Sequence, residues 1–155
     1  MKRALMALAV VTALPVVAAE PDGTVVWKAG ELKEYGKKLA AKVDAKKLAF
    51  ERLGSFGNHS AMTVHREGDG EAEWHEVQAD FLVVQAGTAT LVLGGKVVDG
   101  KTTAQGEIRG PSIDGGQKHP LAAGDIVHIP AKTAHQLLVP AGSTFDYFVV
   151  KVDTP

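Results

Sequence analysis

From residue 48 onward the chain alternates short β-prone runs with turn chemistry, and this rhythm restricts its architecture more than any other feature. The runs at 48–53, 60–65, 71–77, 81–84, 88–93, 126–129, 135–139 and 145–152 each have the length and residue types of a strand. Between them stand Gly54, Gly57, Gly68-Asp69-Gly70, Gly94-Gly95, Asp99-Gly100, Gly115-Gly116 and Pro140-Ala141-Gly142, residues that favour tight turns. Many short strands punctuated in this way predict a β-sandwich or small barrel, and a barrel mouth is a natural place for a small-ligand pocket.

Ahead of the strands the chain has a different character. Residues 1–19 open with Lys2 and Arg3, run apolar from position 4 to 17, and close on Val17-Ala18-Ala19. That is the layout of a secretory signal peptide, so the mature protein is expected in the periplasm or outside the cell, with no membrane attachment after cleavage. The expected organisation is a signal peptide at 1–19, a strand and helix extension at 20–57, and a β-barrel domain at 58–155. Within the extension, residues 24–27 read as a short strand. Leu32, Tyr35, Leu39 and Val43 then recur near helical spacing with charges between them, which predicts a helix packed against the outside of the barrel. Gly36 weakens that helix by about 1 kcal/mol relative to Ala.

Removing the segment with Lys2 and Arg3 takes the formal charge from −1 to about −3. The lysines are scattered, aromatics make up only 6% of the chain, and no basic stripe appears, which argues against nucleic acid as a partner. There is no cysteine. An exported chain without thiols relies on a packed core, and any metal site in it must use His, Asp or Glu.

The stretch 73–87 supplies such groups. On a strand, Glu73 and His75 share one face while Trp74 takes the other, and Asp80 stands at the start of the next apolar strand. His135 follows far downstream. Imidazoles and carboxylates converging from neighbouring strands are the donors that zinc, iron, manganese or nickel accept.

These residues resemble the two motifs of the cupin superfamily. In the first motif, the second histidine of a His-any-His pair corresponds to His75, the following acid to Asp80 and the closing glycine to Gly87. The second motif, a Gly, then a Pro, then a His five positions after it, matches Gly124, Pro130 and His135. The resemblance implies a cupin-like antiparallel β-barrel (double-stranded β-helix or jelly roll) holding a divalent metal. It also implies a homodimer, since barrels of this family commonly pair through their sheets. Four positions depart from the pattern: Glu73 for the first His, Asp80 for Glu, Lys132 for Gly and Val139 for Asn. The implied site is therefore either two histidines with two carboxylates, or His75, Asp80 and His135 alone with Glu73 left as a base.

Other polar residues are candidates for the pocket wall. His59 and His65 share strand parity with each other, opposite Met62 and Val64, and Glu107 and Arg109 share parity within the long connection between the motifs. His119 is expected in solvent, and His128 on the face opposite Val127 and Ile129. Phe81, Phe145, Tyr147 and Phe148 are expected in the core or on a sheet-packing face. The resemblance allows metal-dependent dioxygenase, isomerase, epimerase or lyase chemistry on a small oxygenated organic molecule. It equally allows a non-catalytic binding or sensing protein. A third reading makes the barrel a scaffold, with an exposed apolar patch near Leu32, Tyr35 and Leu39 as a docking surface.

Overall fold

The computed structural model describes residues 21–155, so the segment read as a signal peptide lies outside the described residues. A helix, α1 (Ala29–Ala40), is followed by β1 (Leu48–Ser55), β2 (His59–Arg66), β3 (Ala72–His75), β4 (Gln78–Leu93), β5 (Lys96–Val98) and β6 (Lys101–Ala104). Then come β7 (Glu107–Gly110), β8 (Ser112–Asp114), β9 (Gln117–Ala122), β10 (Ile126–Ile129), β11 (His135–Leu138) and β12 (Phe145–Asp153). Ten strands form one curled antiparallel sheet in the order β1-β2-β12-β4-β11-β3-β7-β6, with β9 and β10 also paired to β4, while β5 and β8 make a separate ribbon.

The sheet curls because β4 belongs to both of its halves. Its first part pairs with β12 and β10, from Gln78↔Asp153 to Gly87↔Phe145 and from Asp80↔Ile129 to Val83↔Ile126; its second part pairs with β9 and β11. The corner falls at Gly87, whose φ of 76° is open to glycine but strained for other residues. A side chain there would also overlap the Thr144 carbonyl. Sequence periodicity suggested two strands, 81–84 and 88–93; the chain instead runs straight through the corner, because one glycine makes a bend without breaking the ladder.

Inside the curl, Leu82, Val84, Leu91, Ile129, Phe145 and Val149 belong to one buried cluster. Phe145 and Tyr147 share its face, as strand parity predicts. Phe81 does not join them: it is 42% exposed on the outer face beside His128. Phe148 also faces outward, where the Trp27 ring packs on it at 5.3 Å between centroids. That contact replaces the strand expected at 24–27, which makes no sheet pairing.

The helix covers the outer face of β1 and β2, with Leu39 1% exposed. Of the three apolar residues expected to form a docking patch, Leu39 is buried on the sheet, while Leu32 and Tyr35 are half-buried. Gly36 now has a reason: a Cβ there would lie 3.1 Å from the Asp146 carboxylate, so glycine lets the helix approach the sheet. Strand β1, which precedes the boundary expected at residue 58, pairs with β2 from Leu48↔Arg66 to Ser55↔Ser60 and is part of the sheet.

Candidate metal centre

Strand register builds the site. On β3, Glu73 stands opposite Arg109 of β7 on one side and His135 of β11 on the other, and His75 stands opposite Glu107. On the other half of the curl, Asp80 of β4 stands opposite Lys151 of β12. Directly opposed residues in antiparallel strands project to the same face, so all these side chains turn inward.

The structure brings Glu73, His75, Asp80 and His135 together, with one potential ligand atom from each lying within 4.8 Å of all the others. His75 Nε2 is 3.3 Å from Glu73 Oε2 and 3.8 Å from Asp80 Oδ2. His135 Nε2 is 3.5 Å from Asp80 Oδ2 and 3.9 Å from Glu73 Oε2. Metal bonds of about 2.0–2.1 Å place tetrahedral ligand atoms about 3.3 Å apart, so a donor set whose atoms lie within 4.8 Å of one another would close by at most about 1.5 Å around a divalent ion.

The surroundings aim these donors. His135 Nδ1 donates to the Thr133 carbonyl at 3.0 Å, which leaves Nε2 facing the cluster. Arg109 Nη1 donates to Glu73 Oε1 at 3.0 Å and its Nε to Glu107 Oε1 at 2.6 Å, so Glu73 is anchored by one oxygen and offers the other. Glu107 Oε2 lies 3.7 Å from His75 Nδ1. The backbone of Lys132 contributes as well, its N–H donating to the His75 carbonyl at 2.7 Å. That turn puts Lys132 at φ 63°, where the cupin pattern has glycine.

Lys151 enters this cluster, a residue the motifs do not mark. Its Nζ is 2.9 and 2.8 Å from the two Asp80 oxygens and 3.3 Å from His75 Nε2. Parity along β12 contains the signal, because Lys151 continues the inward series Phe145, Tyr147, Val149. Burial alone would raise the pKa of Glu73. The hydrogen bond from His75 and the charges of Arg109, Lys151 and His135 outweigh it and hold the carboxyl well below its usual range. Asp80 is lowered likewise, with bonds from His135 and Lys151 overcoming its desolvation.

The cluster sits on the wall of a cavity of about 890 Å³ lined by apolar residues such as Met62, Leu82 and Val149 and by Glu107 and Arg109. His59 lies at its rim, exposed and stacked on Phe56. His65 does not line it: the inward series of β2 is Ser60, Met62, Val64 and Arg66, and His65 points to the other face, donating from Nδ1 to Asp146 Oδ1 at 2.6 Å. His119 and His128 are exposed, away from the cluster.

The curled antiparallel sheet is a cupin-like fold, and its structural neighbours include proteins described as cupins. Among them is a sugar phosphate isomerase from a cupin superfamily, from Silicibacter pomeroyi. It is 23% identical, with 70% of this chain and 61% of that chain covered, at a TM-score of 0.50. A polyketide cyclase from Streptomyces resistomycificus is 16% identical over 69% of this chain and 66% of that one, at 0.50. A protein from Photorhabdus luminescens is 12% identical over 90% and 89%, at 0.51. Identities at this level carry the fold alone, and this chain spans about three fifths of the length of the Silicibacter protein. No protein-family model and no curated protein sequence matches the chain.

Proposed function

We propose that this chain is an exported cupin that holds one divalent metal ion through Glu73, His75, Asp80 and His135 and takes a small oxygenated organic molecule in the adjoining cavity. The observation that carries the reading is the convergence of four donor atoms within 4.8 Å from three separate strands. Two imidazoles and two carboxylates suit iron, manganese, nickel or zinc. Arg109, holding Oε1 of Glu73, favours Glu73 as a ligand through Oε2 over Glu73 as a free base. When bound, such an ion supplies Lewis acidity toward a carbonyl or enolate oxygen. The chain's own residues orient the ligand: Met62, Leu82 and Val149 exclude water from one wall, and Glu107 and Arg109 present polar groups on the other. Isomerase, lyase and dioxygenase chemistry all fit this arrangement. Export rests on the Lys2-Arg3 start, the apolar run and the small residues at 17–19.

The test is elemental analysis of untagged protein beside the double variant His75→Ala, His135→Ala. Near-stoichiometric metal in the parent and none in the variant is the expected result. A metal-free parent whose melting temperature does not rise with added divalent ions would overturn it. One observation favours a second reading, a ligand-binding cupin without turnover: Lys151 already places a cation against Asp80 and His75. That reading predicts stabilisation by a small molecule, with no product and no metal.

A further inference from the structure

Arg66 is the group that neither the metal centre nor the fold accounts for. It follows Met62 and Val64 in the inward series of β2 and ends 7% exposed, at the cavity wall. The other cations beside the cluster have carboxylate partners: Lys151 on Asp80, and Arg109 on Glu73 and Glu107. Among the described residues no carboxylate oxygen comes within 4.0 Å of Arg66; its one side-chain hydrogen bond runs from Nε to the Tyr147 hydroxyl at 3.2 Å. The Glu73 charge favours the ionised guanidinium from beyond contact distance, but no anion touches it, and that open edge needs an explanation.

The slot around it is built. Tyr147 holds the Nε edge, and the backbone of Gly70 lies so close that a Cβ there would sit 3.1 Å from the guanidinium carbon and from Nη1. Gly70 is itself pinned, its N–H donating to the Leu137 carbonyl at 2.8 Å and its carbonyl accepting from Gln136 Nε2 at 2.8 Å. No buried side-chain nitrogen or oxygen among the described residues lacks a partner. The two terminal nitrogens of Arg66 have none within the protein, so they are the atoms open to the cavity. A planar fork of N–H donors in that position matches the two oxygens of a carboxylate or phosphate.

We infer that the cavity binds a small organic anion, its carboxylate or phosphate group seated on the free edge of Arg66 and its body lying toward the Glu73, His75, Asp80 and His135 cluster. The direction of the body rests on the metal-centre reading; the anion seat does not. Tyr147 and Gly70 fix the guanidinium beforehand, so the anion meets a positioned fork rather than a mobile side chain. A cavity of about 890 Å³ is within the range that takes a metabolite-sized molecule.

The experiment is calorimetric titration with acetate, malonate and inorganic phosphate at constant ionic strength. It is run on the metal-stripped protein, so that chelation of an ion by malonate cannot imitate binding, and then on protein loaded with Mn²⁺. Saturable binding of at least one anion to the stripped protein, with a Kd of about 1 mM or tighter, is expected. Arg66→Met should abolish it. Arg66→Lys, which keeps the charge but not the fork, should weaken it about tenfold. Which anion saturates at the lower concentration assigns carboxylate or phosphate. Absence of binding to either form overturns the inference, and so does affinity unchanged in Arg66→Met or, should that variant fail to fold, in Arg66→Lys. Anion binding in a protein that takes up no metal leaves the seat standing and removes the metal centre; metal uptake without anion binding does the reverse.

Discussion

Replacing Lys151 by Met should separate two demands on the same site. In the metal-free protein the Lys151 ammonium contacts both oxygens of Asp80 at 2.8 and 2.9 Å, with the side chains 17% and 6% exposed. Removing one partner of a buried ion pair costs about 3–5 kcal/mol. Partial exposure of the lysine reduces this to about 2–4 kcal/mol. At about 4 °C per kcal/mol for a domain of this size, the stripped Lys151→Met protein should melt about 8–16 °C below the parent. Metal affinity should move the opposite way. A divalent ion entering the parent would have to displace the ammonium from Asp80, and sparing the variant a displacement of about 2 kcal/mol would tighten binding about 30-fold. Thermal melts in chelator and titrations with Mn²⁺ and Zn²⁺ measure both effects. A stripped variant that melts within about 2 °C of the parent would refute the assignment of Lys151 as counter-cation. Metal affinity that falls in the variant would refute its assignment as competitor.

Acid should find the same cluster. Glu73 and Asp80 are held below their ordinary values of 4.5 and 3.8, so the folded protein stays ionised where the unfolded chain takes up protons. Their contribution is complete above about pH 5 and drains away as pH falls through and below 4. Glu73→Gln should therefore flatten the pH dependence of the melting temperature of stripped protein between about pH 5 and 3, and an unchanged slope would contradict the assignment. At the turn before His135, Lys132 at φ 63° carries the strain of a left-handed residue, and Lys132→Gly should raise stability by about 0.5–1 kcal/mol in urea unfolding.

Local pattern made most of the strands legible, and the two motifs located the donors, because both are short-range signals. What escaped is informative about why. The connection between the motifs hides β5 to β9: β5 to β8 are three or four residues long, too brief for alternation to show, and β9 carries Pro120, which argues against a strand. The strand expected at 24–27 had the right residues, but Trp27 packs its ring on Phe148 instead of joining a ladder. Arg66 and Lys151 each continue an apolar inward series, so their parity was readable. That they meet the cavity and the cluster depends on register between strands far apart in sequence, such as Lys151↔Asp80, which no window along the chain contains.

The placement of β12 has a temporal consequence. This strand follows the other eleven in sequence, yet it lies between β2 and β4 and pairs with both along its length. Until residues 145–153 have been synthesised, two long strands present unpaired edges and the inner wall lacks Phe145, Tyr147, Val149 and Lys151 together. Such non-local pairing makes folding slow and cooperative. A partly made chain therefore stays open, without a finished barrel or a neutralised Asp80. If the chain is exported as proposed above, the barrel stays open to transport until residues 145–153 have been made.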